Sequence, residues 1–203
     1  MVIGWNLLFN DKKKRCNWVT NDPLYINYHD SEWGEPVQRD KQLFECLILE
    51  TFQSGLSWIT ILRKRENFRE AFDFFDSSKI AQYKEDKIEE LLLNKGIVRH
   101  KQKIRAAISN AQAFIKIQEE FGSFNSFIWA YVEQKPIQNK RTQMSQITAT
   151  SDLSDKLSKE LKKRGFKFVG SKVIYAFMQA VGMVNDHTID CFRYAKLKNN
   201  ESD

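Results

Sequence analysis

The chain has 203 residues, 42% hydrophobic and 13% aromatic, with a formal net charge of +6. That length supports one substantial core or two small lobes, and the charge favours a polyanionic partner. Three cysteines make no disulfide framework, no stretch is long enough to span a membrane, and the apolar start 1–9 lacks a signal peptide's basic residues and cleavage site, so the chain reads as soluble and cytoplasmic.

With three prolines and eight glycines, helical spacing dominates. Leu43, Phe44, Leu47 and Ile48 repeat at the period of an amphipathic helix over 40–53. The pattern continues over 57–75, and Ser77-Ser78 mark a new start at Lys79. A helix over 86–93 stops near Gly96, and a long one over 101–121 ends at Gly122. Residues 126–133 are short and aromatic. Residues 134–150 are polar, contain Pro136 and show no period, which predicts a connecting loop. Helices over 152–163 and 171–181 flank a tight turn with glycine at each end. No strand pair and no internal repeat is expected, so the fold class is all-α.

Two residues near each end of the chain form the pattern C-x12-H … H-x3-C: Cys16, His29, His187 and Cys191. Two thiolates and two imidazoles complete a closed tetrahedral zinc site. Equally, a lone cysteine is usually a small buried hydrophobe, so spacing alone leaves both readings open. Cys46, inside the apolar run 43–49, reads as core, and His100, among Arg99, Lys101 and Lys103, as part of a solvated basic turn.

The turn Gly165-Phe166-Lys167-Phe168-Val169-Gly170 lies between the basic run Lys162-Lys163-Arg164 and Lys172. Such an αα-hairpin can aim backbone N–H groups at a phosphate, which positions DNA without reading its sequence. Any helical hairpin needs a turn of this kind, so alone it is moderate support. Trp18, Tyr25, Tyr28 and Trp33 crowd one short segment, and Trp58 lies close in sequence to Glu50 and Gln53. Aromatic rings beside a carboxylate suit a pocket for a flat or cationic ring better than an ordinary aliphatic core.

The strings Asp22-Pro23-Leu24-Tyr25-Ile26, Tyr28-His29-Asp30-Ser31-Glu32-Trp33-Gly34, Gly55-Leu56-Ser57-Trp58-Ile59-Thr60, Lys64-Arg65-Glu66-Asn67-Phe68 and Gly96-Ile97-Val98-Arg99-His100 resemble the DNA-3-methyladenine glycosylase I family. So does 162–170, and the likeness runs from about Arg15 to Cys191. The resemblance implies an all-α helix-hairpin-helix glycosylase fold. One structural zinc on Cys16, His29, His187 and Cys191 would join the N- and C-terminal segments. It divides the chain into an N-terminal extension of no assigned role (1–14), a single catalytic domain of two helical lobes with its hairpin at 165–170 (15–192), and a polar C-terminal tail (193–203). It also implies a monofunctional N-glycosyl hydrolase of base-excision repair that removes N3-methyladenine from alkylated double-stranded DNA and leaves an abasic site. Nothing suggests more than a monomer, and no membrane partner is expected.

By the same resemblance, Glu50 recognises the base with Tyr28, Trp58 stacks on it, and Trp18, Tyr25, Trp33 and Gln53 complete the binding wall. Gly55 and Leu56 form the wedge, and Lys163, Gly165, Lys167, Gly170 and Lys172 contact DNA. Related enzymes place an aspartate in a Val-Asp-x-His setting. Here the string is Val184-Asn185-Asp186-His187, which puts neutral Asn185 in that place; the plain reading of Asp186 is a partner orienting His187, and whether either residue contributes to catalysis stays open. Thr51 and Phe52, following Glu50, depart from the expected pattern and would alter pocket size. Two other functions stay open: a non-catalytic reader of damaged DNA, and a bifunctional glycosylase/lyase using Lys172.

Overall fold

The computed structural model describes residues 12–53 and 55–199. Among them the helices are α1 (Pro23–Ser31), α2 (Asp40–Gln53), α3 (Trp58–Ala71), α4 (Ser77–Ile80), α5 (Glu85–Leu93), α6 (Lys101–Phe121), α7 (Phe124–Trp129), α8 (Asp152–Lys163), α9 (Ser171–Ala180) and α10 (Phe192–Asn199). The helical expectation therefore holds for the bulk of the chain. No described helix is long and apolar enough to cross a membrane.

The starts and stops have local causes. Asp22 caps α1 by accepting from Leu24 N at 2.9 Å, with Pro23 in the first turn, where no N–H is needed. Ser151 and Ser154 form a reciprocal capping box on α8. His100 caps α6, its Nδ1 accepting from Lys103 N at 3.3 Å; it is exposed, as expected of a solvated turn, yet has this definite structural task.

Helix α2 organises the molecule. It packs against α3, α6, α7 and α9, and residues 47–52 are buried without a break. A helix covered on so many sides leaves no solvated face for a polar side chain near its C-terminus. Glu50 stands there and is buried. Thr51 and Phe52 face away from it into structure: Thr51 Oγ1 donates to Ile48 O at 2.7 Å, and Phe52 packs on Phe68 at 4.9 Å between ring centres. They do not shape a pocket, contrary to the expectation from sequence. Cys46, expected in the core, is half-buried at its edge.

Three further expectations need correction. Residues 134–150 are no plain loop: β1 (Ile137–Gln138) pairs in parallel with β2 (Val184–Asn185), and Met144–Gln146 make a 3₁₀ turn. This pairing is only two residues long, too short to give a periodic signal. The supposed polar tail is helical through Asn199, burying Arg193, Tyr194 and Leu197. The supposed N-terminal extension is engaged where it is described: Lys14 O accepts from Phe192 N at 3.0 Å, and Lys14 Nζ lies 2.5 Å from Asp190. Residues 1–11 and 200–203 lie outside the described residues.

A small second cluster, with Cys16, Tyr28, Trp33 and Cys191 among its members, joins the two ends of the chain beside the main core. Gly34 makes this possible. Its φ is +82°, and a Cβ there would stand 2.8 Å from the His187 ring, so only glycine lets α1's exit pass so close to that imidazole.

Candidate active site

A cavity of about 250 Å³ opens between α1, α2, α3 and α9. The seven residues expected to recognise a base all line it: Trp18, Tyr25, Tyr28, Trp33, Glu50, Gln53 and Trp58. Their rings pack in two groups along its wall. Trp18 lies 5.0 Å from Tyr25 and 5.0 Å from Trp33, and Tyr28 lies 5.5 Å from Trp58, all between ring centres. Four more lining residues escaped the sequence reading: Met144, Ile147, Ala176 and Gln179. Met144 and Ile147 come from the segment 134–150, whose sequence predicts a connecting loop. Two apolar residues three apart in a polar stretch were the available signal.

The wall encloses two buried polar atoms that have no partner among the described residues, Glu50 Oε2 and Trp58 Nε1. An orphaned buried polar group is costly, and such groups concentrate where a ligand completes them. Burial alone pushes the Glu50 carboxyl up to about 8, so at neutral pH it is mostly protonated. Burial also raises the Tyr28 phenol, which stays neutral. A larger cleft of about 550 Å³ lies on the other side of Tyr28 and Trp58. Two of its arginines are already paired, Arg65 with Glu32 and Arg69 with Glu45. The smaller cavity, with its unpaired carboxyl, is the better candidate for chemistry.

Behind Trp33 the two ends of the chain meet. The ligand atoms of Cys16, His29 and Cys191 lie within 4.8 Å of one another, all buried. His29 Nδ1 is held by Asp30 Oδ1 at 2.8 Å, and its Nε2 faces the Cys191 sulfur at 3.5 Å. Asp30 is itself gripped by Arg15. His187 stands outside that 4.8 Å group, but its ring centre is 5.0 Å from that of His29. Its Nδ1 donates to Asn185 Oδ1 at 3.1 Å, and its buried Nε2 has no partner among the described residues. Burial, with His29 and Arg193 nearby, pushes His187 down to about 2, so the ring is neutral.

Asn185, not Asp186, therefore orients His187, correcting the sequence expectation. Asn185 is buried and turned away from the cavity, its Nδ2 donating to Gln138 Oε1 at 2.8 Å. Asp186 is taken up by Tyr175 Oη at 2.7 Å, Gln179 Nε2 at 2.8 Å and Asn139 Nδ2 at 2.8 Å.

A third group of residues lies on the surface. Gly55 and Leu56 form the exposed turn after α2, and Leu56 is 43% exposed. The turn 165–170 joins α8 to α9 and is pinned from below: Asn110 accepts from Lys167 N at 2.7 Å and donates to Lys167 O at 3.1 Å. Phe166 and Val169 are buried as anchors, whereas Lys163, Lys167 and Lys172 are exposed. A Cβ at Gly165 or Gly170 would meet nothing within 4 Å, so the backbone there is open to a close approach.

Comparison with known proteins gives a consistent result. The sequence model of the methyladenine glycosylase family matches residues 18–194. DNA-3-methyladenine glycosylase 1 of Escherichia coli K12 is 49% identical over 181 residues, covering 89% of this chain and 97% of the relative. DNA-3-methyladenine glycosylase of Haemophilus influenzae is 45% identical, covering 87% and 96%. The structure of 3-methyladenine DNA glycosylase I from Staphylococcus aureus, solved to explain recognition of 3-methyladenine, superposes with a TM-score of 0.86 at 40% identity, covering 88% of this chain and 95% of that one.

Proposed function

This chain belongs to the methyladenine glycosylase family, and we propose that it is a base-excision repair enzyme that removes N3-methyladenine from alkylated DNA. The observation that carries the reading is the aromatic cavity closed around the unpaired Glu50 carboxyl.

The chemistry follows from charge. A base inside the duplex cannot be reached, so it is extruded, at a cost of a few kcal/mol that is lowest for a damaged pair. Methylation at N3 makes the adenine of the nucleotide cationic. Ionising Glu50 at pH 7 from a value of about 8 costs about 1.4 kcal/mol. A cation about 4 Å from the carboxylate returns about 4 kcal/mol at an intermediate dielectric, so ionisation wins for the lesion. Neutral adenine brings no such gain. Trp58 and the facing rings add stacking and cation–π attraction. The cationic base is already a good leaving group: the glycosidic bond breaks, the base departs neutral, and water captures the sugar cation at C1′ with loss of a proton. Binding supplies most of the acceleration, consistent with Asn185 facing away from the cavity.

The turn 165–170 and its flanking helices act as a helix-hairpin-helix that grips phosphate through the backbone N–H groups that follow Lys167 and through Lys163, Lys167 and Lys172. Leu56, exposed beside the cavity-lining Gln53, fills the gap left by the extruded base. Lys172 is exposed, unlike the desolvated amine that Schiff-base chemistry requires, which favours the monofunctional reading. Cys16, His29, His187 and Cys191 fit one zinc. The orphaned Nε2 of His187 supplies the fourth donor, and both imidazoles have Nδ1 tied to an oxygen, as metal-bound histidines do. The ion would brace the chain ends behind Trp33 and take no part in the reaction.

The test is chromatography of bases released from methylated duplex DNA. Selective release of 3-methyladenine, with 7-methylguanine left in place, is expected. No release by folded protein would overturn the reading and leave a binding protein.

A further inference from the structure

Gln179 sits on the last turn of α9 and lines the cavity. Its Nε2 donates to Asp186 Oδ2 at 2.8 Å. Asp186 is 1% exposed, and Tyr175, Asn139 and, at 3.5 Å, Arg141 also donate to it. Tyr175 and Gln179 donate to one oxygen of Asp186, and Asn139 and Arg141 to the other, so both oxygens act as acceptors. Turning the Gln179 amide over would set its oxygen against that carboxylate. The amide is therefore locked, with its donor end spent on Asp186 and its acceptor end, Oε1, left for the cavity.

Trp58 Nε1 is a fixed donor and Glu50 is acceptor-only once ionised, but among the hydroxyls and amides of the cavity no other is so constrained. Glu50, when protonated, and Tyr28 can each turn a donor or an acceptor toward a bound base, and Gln53 has no amide partner that fixes its orientation among the described residues. An adenine lesion carries an exocyclic amino group at C6, a donor. The matching guanine lesion carries a carbonyl there, an acceptor. We propose that Gln179, locked by Asp186, is a specificity-determining residue that offers a fixed acceptor to the C6 amino group and turns away C6-oxo purines. The inference rests on the reading of the cavity as a base pocket.

Asp186 also couples this lock to the segment that closes the cavity. Asn139 and Arg141 begin the stretch that supplies Met144 and Ile147. One buried carboxylate thus holds together the acceptor and the neighbouring wall.

The experiment measures release of 3-methyladenine and 3-methylguanine from the same methylated duplex DNA by the full chain, as the ratio of kcat/KM for the two bases. Gln179→Met and Gln179→Leu keep volume and remove the acceptor. Each is expected to reduce the ratio by about 10–100-fold, the range for losing one hydrogen bond that discriminates. Asp186→Asn is expected to shift the ratio the same way by freeing the amide, and combining it with Gln179→Leu should add little. The ratio is insensitive to the folded fraction, so mild destabilisation does not imitate the effect. Wild-type activity with an unchanged ratio in the Gln179 variants overturns this inference alone. Release of neither base by wild-type protein overturns it together with the base-pocket reading.

Discussion

His29 Nε2 and the Cys191 sulfur lie 3.5 Å apart although 162 residues separate them along the chain. Zinc bonds of about 2.3 Å to sulfur and about 2.0–2.1 Å to nitrogen span a tetrahedral edge of about 3.6 Å, so the pair already has the spacing of two ligands of one ion. Purified protein should contain about one zinc per chain by elemental analysis. Cys191→Ser should lower the content and the melting temperature together, because the proposed ion would link segments that otherwise meet through a small aromatic cluster. Metal-free protein melting at the unchanged temperature would contradict this.

Glu50 ties activity to a stability cost with a definite sign. Its value is about 8 in the folded protein against 4.5 for the free side chain. Between those limits the native state holds a proton that the unfolded chain has lost, so stability falls as pH rises from about 5 to about 8. The full difference corresponds to about 4–5 kcal/mol, an upper figure for one buried carboxyl. Glu50→Gln removes this titration, so the variant should gain on the wild type with rising pH and exceed it most above pH 8. The same variant should lose about 10²-fold or more in release of 3-methyladenine. Denaturant unfolding at pH 5 and pH 9 checks the first expectation and single-turnover base release the second.

Trp58 lines the cavity together with Tyr28 and Glu50. Replacing its ring with leucine should weaken binding of free 3-methyladenine by about 1–3 kcal/mol, the worth of stacking one base. Titration of the protein with the base, followed by calorimetry, measures this. An unchanged affinity would remove Trp58 as the platform.

The hairpin lysines should act on affinity and not on the chemical step. Lys167 and Lys172 are exposed on either side of Gly170. If each neutralises one phosphate, Lys167→Ala and Lys172→Ala should each reduce the slope of log K against log salt by about 0.9. Base release at saturating DNA should stay close to that of the wild type. A variant that abolished release without changing the salt slope would place that lysine in the chemistry instead.

Much of this architecture is legible in the sequence because its signals are local or repeated. Helices α2, α6 and α8 begin and end where apolar period, Gly122 and the basic run predict. The aromatic residues and Glu50 lie close together along the chain, so their convergence on one cavity is read directly. The cavity's far wall is not. Met144 and Ile147 reach it only because β1 pairs with β2 and Asp186 gathers Asn139 and Arg141. Those links join residues about 45 positions apart through two-residue strands and side-chain bonds, which leave no periodic trace. Helix α10 was hidden for a different reason: Arg193 is buried by pairing with Glu35, and a charged residue in the core reads as surface until its partner is known.

Lys103 is the remaining buried charge with a clear task. It projects from α6 and is 5% exposed, and its Nζ donates to Phe52 O at 3.0 Å. That carbonyl belongs to the last turn of α2, where the negative end of the helix dipole favours a cation. Burial lowers the Lys103 ammonium from its ordinary value, so the contact is held against a desolvation cost. The turn it grips carries Glu50 and Gln53 on one side and leads into Gly55 and Leu56 on the other. Lys103→Met should therefore leave a buried carbonyl less well satisfied and destabilise the fold by about 1–3 kcal/mol. It should also loosen the turn at Gly55 and Leu56, proposed above as the wedge, so kcat for base release from duplex DNA should fall more than affinity for free 3-methyladenine. Lys103→Arg, which keeps the charge and donors, should recover part of the loss. Equal losses on duplex and free base, with no recovery by arginine, would reduce Lys103 to a packing residue.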